Sequence, residues 1–202
     1  MSNFSDYYND LAAWEQKEAV PLIHEWNQND VQNIANDFAD AFRSCPFATT
    51  FLAVPPGTTN QAIGNKMAEF FTSHINQNLR AFQVEKCSGS GYPDKQLREI
   101  GPDRLFGTGR LFVCEIKATS HFDPKDSNRI VLTSSSRKLR SKFRPPLHHL
   151  LVTLCYVDHA GQLELKNLRL DFLEPKMEVD VRLEASVSQR LLAQAPHKKF
   201  TF

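Results

Sequence analysis

The run Leu111-Phe112-Val113-Cys114-Glu115-Ile116-Lys117-Ala118-Thr119 restricts the folds open to this chain more than any other stretch. Nearly continuous apolarity over this length reads as a buried central strand, covered on both faces, rather than as a surface strand. Side chains alternate along a strand, so Glu115 and Lys117 share one face and Cys114 and Ile116 the other. A carboxylate and an ammonium side by side in such a strand are costly to desolvate. They form a buried ion pair, or face solvent from an edge, or make up a working site.

The flanking sequence has a readable order. The first thirty residues carry Tyr7, Tyr8, Leu11, Trp14, Leu22, Ile23 and Trp26, a pattern of one or two short amphipathic helices. From Asp30, read as an N-cap, Val31, Ile34, Phe38, Ala41 and Phe42 recur at helical spacing up to Pro46. Pro55-Pro56-Gly57 marks the following stretch, 46–59, as a connection where an N-terminal piece would meet a core. A second helix is expected over 60–79, with Ile63, Met67, Phe70, Phe71 and Ile75 as its apolar stripe and Glu69 well off it.

Strands are expected at 81–87, 92–100 and 110–119. Gly101-Pro102-Asp103 and Gly107-Thr108-Gly109 make the last two an antiparallel hairpin, which puts Asp94 on the strand beside Glu115. Pro93 cannot donate to a ladder, so that strand should start or distort at the Pro93-Asp94 step. Beyond Thr119 the chain is turn-like to 128 and ambiguous over 129–136. The basic run 137–144 reads as a short helix stopped by Pro145-Pro146. Two more strands follow at 148–157 and 163–172, the second with a shift of apolar parity between Leu165 and Leu168 that signals a β-bulge. Leu183, Val187 and Leu191 predict a last helix over 180–194.

The pattern implies a mixed α/β (α+β) fold, a central mixed sheet flanked by helices. With 202 residues and 41% hydrophobic content, one domain over 1–202 is the simplest reading, with an N-terminal helical extension at 1–58 and a core at 59–194. No window approaches the ~18 apolar residues of a membrane span, and the N-terminus lacks the features of a signal peptide, so a cytoplasmic protein is expected. Cys45, Cys87, Cys114 and Cys155 are widely spaced, which predicts reduced thiols and no zinc site.

The Pro93-Asp94 pair followed by Glu115-Ile116-Lys117 resembles the signature of the PD-(D/E)xK nuclease superfamily, which includes many type II restriction endonucleases. The element order over roughly 59–194 approximates the restriction-endonuclease-like core that this resemblance implies. It further implies that Asp94, Glu115 and Lys117 are catalytic, and that the helix before the first strand can supply another acid. Glu69 is the one acid of that helix, and a solvated glutamate is the alternative reading.

Phosphodiester hydrolysis needs an in-line water and positive charge to meet the charge that develops on phosphate. A hard cation such as Mg²⁺, with Mn²⁺ as a substitute, takes carboxylate and carbonyl oxygens while keeping several waters. Asp94, Glu115 and the carbonyl of Ile116 make a suitable partial shell, and Lys117 can hold the attacking water or offset phosphate charge.

The formal net charge of +1 says little about a DNA partner, but its distribution says more. No acid lies between Asp126 and Asp158, whereas Arg137, Lys138, Arg140, Lys142 and Arg144 do, with Ser134, Ser135, Ser136 and Ser141 as small phosphate donors. These basic residues are the expected contacts to the backbone of double-stranded DNA. His148 and His149 would face opposite sides of their strand and read as structural.

The sequence thus points to a Mg²⁺-dependent DNA endonuclease of restriction type that leaves 5′-phosphate and 3′-hydroxyl ends. A homodimer on a palindromic target and a cognate DNA methyltransferase in the same cell would accompany it. A repair, resolvase or transposon-type nuclease, or an inactive DNA-binding module, is the alternative.

Overall fold

The structure, a computed structural model, describes residues 2–89, 91–100, 109–120, 130–132, 136–183, 189–193 and 198–202. The chain opens with β1 (Ser2–Asn3), α1 (Phe4–Trp14), α2 (Gln28–Ser44), β2 (Leu52–Ala53) and α3 (Asn60–Ile75). Then come β3 (Phe82–Lys86), β4 (Lys95–Glu99), β5 (Leu111–Thr119), β6 (Ile130–Leu132) and α4 (Arg137–Lys142). The remaining elements are β7 (His149–His159), β8 (Gln162–Leu173), β9 (Glu178–Leu183), β10 (Gln189–Ala193) and β11 (Lys198–Thr201). The turn residues 101–103, 107 and 108, and Ser134 and Ser135, lie outside the described residues.

A mixed seven-stranded sheet organises the molecule, in the order β11-β8-β7-β5-β4-β3 with β2 paired to β8. β5 is central, antiparallel to β4 and parallel to β7. Its two faces feed two cores. Phe112, Cys114 and Ile116 pack with Val31, Ile34 and Phe38 of α2 and Met67, Phe71 and Ile75 of α3. On the other face Val113 packs with Phe4, Tyr8 and Leu11 of α1, Leu139 of α4 and Leu151 of β7. Burial on both faces explains why β5 reads as an unbroken apolar run.

The N-terminal residues are part of this packing. Trp26 stacks on Phe112, with centroids 5.3 Å apart, and its indole N–H donates to the His149 carbonyl at 3.2 Å. Helix α2 starts earlier than expected: Asn27 is the N-cap, accepting from the Asp30 N–H at 2.8 Å. Asp30 is instead a first-turn acid held by Arg110 at 2.7 Å. Asp37 accepts from the backbone N–H groups of Arg80, Ala81 and Phe82 and so pins the entry to β3.

The bulge predicted in β8 is present. Cys155 pairs with Asn167 and Tyr156 with Leu165, leaving Lys166 as the extra residue. Where a helix is expected over 180–194, the described residues 180–183 and 189–193 are strand instead. β9 and β10 pair antiparallel there, Val181 opposite Leu191 and Asp180 opposite Leu192, in a four-stranded sheet ordered β1-β9-β10-β6. The alternation of Glu178-Val179-Asp180-Val181-Arg182-Leu183, with β-branched residues at every second position up to Val181, is a strand signal that outweighs the recurrence of leucines at helical spacing.

Candidate active site

The site forms where β4 ends and β5 continues. Ladder pairing of β4 with β5 stops at Lys95 opposite Cys114, whereas β7 stays paired with β5 to Thr119. The Val113 N–H donates to the His148 carbonyl, so odd-numbered peptide groups of β5 face β7 and even-numbered ones face β4. The carbonyl of Ile116 therefore turns toward the side where β4 has ended. The Pro93-Asp94 step lies just outside the strand, as expected from Pro93.

Asp94 and Glu115 meet there. The Asp94 backbone N–H donates to Oε2 of Glu115 at 2.9 Å, and Nζ of Lys117 donates to Oε1 of the same carboxylate at 2.5 Å. Glu115 is 2% exposed, whereas the Lys117 side chain is 26% exposed and the Asp94 side chain lies open. Burial pushes the Glu115 carboxyl above its ordinary range; the Lys117 ammonium opposes this and the nearby Asp94 charge reinforces it. A buried carboxylate of this kind is relieved by a cation. Asp94, Lys117 and Glu69 line one cavity of about 450 Å³, so α3 does bring its acid to the same space.

Among the described residues, no three His, Cys, Asp or Glu side chains converge as a metal nest. Mg²⁺ asks for less, one or two carboxylates with waters completing the shell. The exposed Asp94 carboxylate, the buried Glu115 carboxylate and the Ile116 carbonyl are hard oxygen donors, the donor type such an ion takes.

Lys138 and Arg140, both expected to contact phosphate, are engaged inside the protein. The Lys138 ammonium donates to the carbonyls of Gly89, Gly91 and Pro93 at 2.9, 2.8 and 2.5 Å, so all its protons are used on the loop in front of Asp94. Arg140 donates from Nε to Ser136 Oγ at 2.7 Å and from Nη1 to the Glu18 carbonyl at 3.0 Å, tying α4 to the N-terminal segment. Arg137, Lys142 and Arg144 are exposed. Ser136, buried, gives its N–H and hydroxyl to the Glu15 carboxylate.

His149 is structural. Leu22 offers only a carbonyl, so Nε2–H donates to it at 2.7 Å and Nδ1 accepts from the Tyr92 hydroxyl at 2.7 Å. Burial lowers the imidazole to about 4, which keeps it neutral. Tyr92, stacked on His149, is thereby fixed beside Pro93 and Asp94. His148 sits half-buried against Trp26, Phe112 and His24.

Several neighbours of the site are not among the residues that the motif and the basic run single out. Lys86 and Lys95, and the carboxamides Asn60, Gln61 and Asn65 of α3, line the same cavity. Arg169 and Asp171 form a fully buried ion pair at 2.9 Å in β8. Register puts Lys117, Thr153 and Arg169 in one row and Glu115, Leu151 and Asp171 in the next, on one face of the sheet. Arg169-Leu170-Asp171 carries the same signal as Glu115-Ile116-Lys117, a charge pair two residues apart in an apolar strand.

No family model matches the chain, and no curated protein matches it. Among solved structures the chain is similar to the restriction endonuclease BglI bound to its DNA recognition sequence. That likeness has 12% identity, covers 86% of this chain and 87% of that one, and has a TM-score of 0.37.

Proposed function

We propose that this chain is a divalent-metal-dependent endonuclease acting on duplex DNA. The observation that carries the reading is the convergence of Asp94, Glu115 and Lys117 at the unpaired edge of β5, beside an open cavity. Asp94, Glu115 and the Ile116 carbonyl would hold Mg²⁺ or Mn²⁺. When bound, such a cation supplies positive charge for phosphate oxygens and acidifies water.

The chain's own residues do the rest. The Asp94 N–H and Lys117 fix the Glu115 carboxylate in one orientation. The Lys117 ammonium, partly exposed at the cavity, orients a water or offsets charge on the scissile phosphate. Lys138 and the His149–Tyr92 pair hold the loop that presents Asp94. Arg137, Lys142 and Arg144 supply sequence-independent backbone contacts. A palindromic target would call for a two-fold dimer with one site per strand.

Purified protein incubated with mixed-sequence plasmid tests the reading. Cleavage with Mg²⁺ and none with EDTA is expected, and Lys117→Ala or Asp94→Asn should lose about 100-fold or more of the rate. Discrete fragments would identify restriction-type specificity, and junction-selective nicking a repair-type enzyme. If wild type is as inert as Lys117→Ala on linear, supercoiled and branched DNA with Mg²⁺ or Mn²⁺, the proposal fails.

A further inference from the structure

Gly64 lies within α3, where glycine weakens a helix relative to alanine. Packing gives no reason for it, because a Cβ at this position would meet no heavy atom within 4 Å. The empty space is on the candidate cavity, which Gly64 lines together with Asn60, Gln61 and Asn65. This wall is polar but uncharged until Glu69. Lys86, Lys95 and Lys117 line the same cavity from the strands, so three cations face the space against the acids Asp94 and Glu69.

Carboxamide N–H groups donate to phosphate oxygens, and amides also read base edges. From Asn60 to Glu69 the helix rises roughly 13 Å at about 1.5 Å per residue. That is the axial length of about four phosphates along one strand of B-DNA.

We propose that this face of α3 is the track along which the substrate strand passes the catalytic residues. Gly64 gives the sugar-phosphate backbone its closest approach, Asn60, Gln61 and Asn65 donate hydrogen bonds to it, and Lys86 and Lys95 meet its charge. The inference rests on the nuclease reading for the identity of the occupant, a nucleic-acid strand.

The test uses the full chain, a fluorescein-labelled mixed-sequence duplex followed by anisotropy at low salt in EDTA, plasmid cleavage with Mg²⁺, and thermal melting. Gly64→Leu fills open space on a helix with a better helix former, so it should melt no lower than wild type. It should also bind the duplex at least about tenfold more weakly, by steric exclusion. Asn65→Glu puts a like charge against phosphate at an exposed position and should weaken binding similarly, and it decides the matter if Gly64→Leu fails to fold. Ser73→Leu, the same kind of bulk on an exposed position of α3 away from the cavity, should bind like wild type.

Wild-type affinity in both Gly64→Leu and Asn65→Glu, with cleavage intact, overturns the track and leaves the nuclease reading standing. Duplex binding that both variants weaken, in a wild-type protein that never cleaves, supports the track and removes the nuclease. A wild type that neither binds nor cleaves overturns both.

Discussion

Glu115 and His149 lie one on β5 and one on the neighbouring β7, both on the face where α1 and α4 pack, and burial acts on them in opposite senses. It raises the carboxyl of the first and lowers the imidazole of the second, because in each case the charged form is the one disfavoured. For His149 this sets a pH window. Its folded value of about 4 lies below the ordinary 6.5, so the unfolded chain binds the extra proton first. The stabilisation is whole above about 6.5, is lost as pH falls toward about 4, and changes no further below that. A shift of this size corresponds to on the order of 3 kcal/mol. Urea unfolding of wild type and His149→Gln at pH 7.5, 6, 5 and 4.5 checks it. Glutamine can still donate to Leu22 and accept from Tyr92 but does not titrate, so the variant should lose stability less steeply over that range. Parallel pH profiles for the two proteins would remove His149 as a source of acid sensitivity.

At the level of elements, the two charge pairs inside apolar strands have different surroundings. Lys117, paired with the buried Glu115, lines a cavity, whereas Arg169 and Asp171 are each 1% exposed and do not line it. A closed pair of this kind adds little net stability, but losing one partner strands a buried charge. Asp171→Leu is therefore expected to destabilise by about 3–5 kcal/mol, and Arg169→Met with Asp171→Leu together to recover most of that. Denaturant midpoints for both single variants and the double would show it; a double variant as weak as Asp171→Leu alone would mean that the cost is lost packing rather than a stranded charge. The sequence made the strands legible where periodicity of two coincides with burial, as in β5, or breaks at one residue, as at Lys166 in β8. It made Asp94, Glu115 and Lys117 legible because local alternation and one hairpin bring them together. It did not reveal β9 and β10, where leucines fall at helical spacing by chance, nor the internal partners of Lys138, whose carbonyl contacts lie 45 to 49 residues away. Contacts across that distance leave no periodic mark.

For the molecule as a whole, the loop near Pro55-Pro56-Gly57 looks like a boundary in sequence, but the packing runs across it. Trp26, Val31, Ile34, Phe38 and Phe47 belong to the same core as Phe71, Phe112, Leu150 and Phe172. Fully burying side chains of this size is worth roughly 1.5–3 kcal/mol each. Their joint contribution is comparable with the net stability of an ordinary domain, about 5–15 kcal/mol. Phe4, Tyr8, Leu22 and Ile23 do the same on the opposite face, against Val113, Leu139 and Leu151. Removal of residues 1–58 would thus strip both faces of β5 at once, and would also take away Leu22, whose carbonyl orients His149, and Asp37, which anchors the start of β3. The truncated chain is expected to lack cooperative unfolding and to bind a hydrophobic dye at neutral pH, while the full chain gives one sigmoidal urea transition. Cooperative unfolding of residues 59–202 at a midpoint near that of the full chain would show instead that the core stands alone. The site would then need nothing from the N-terminal helices to hold Asp94 beside Glu115.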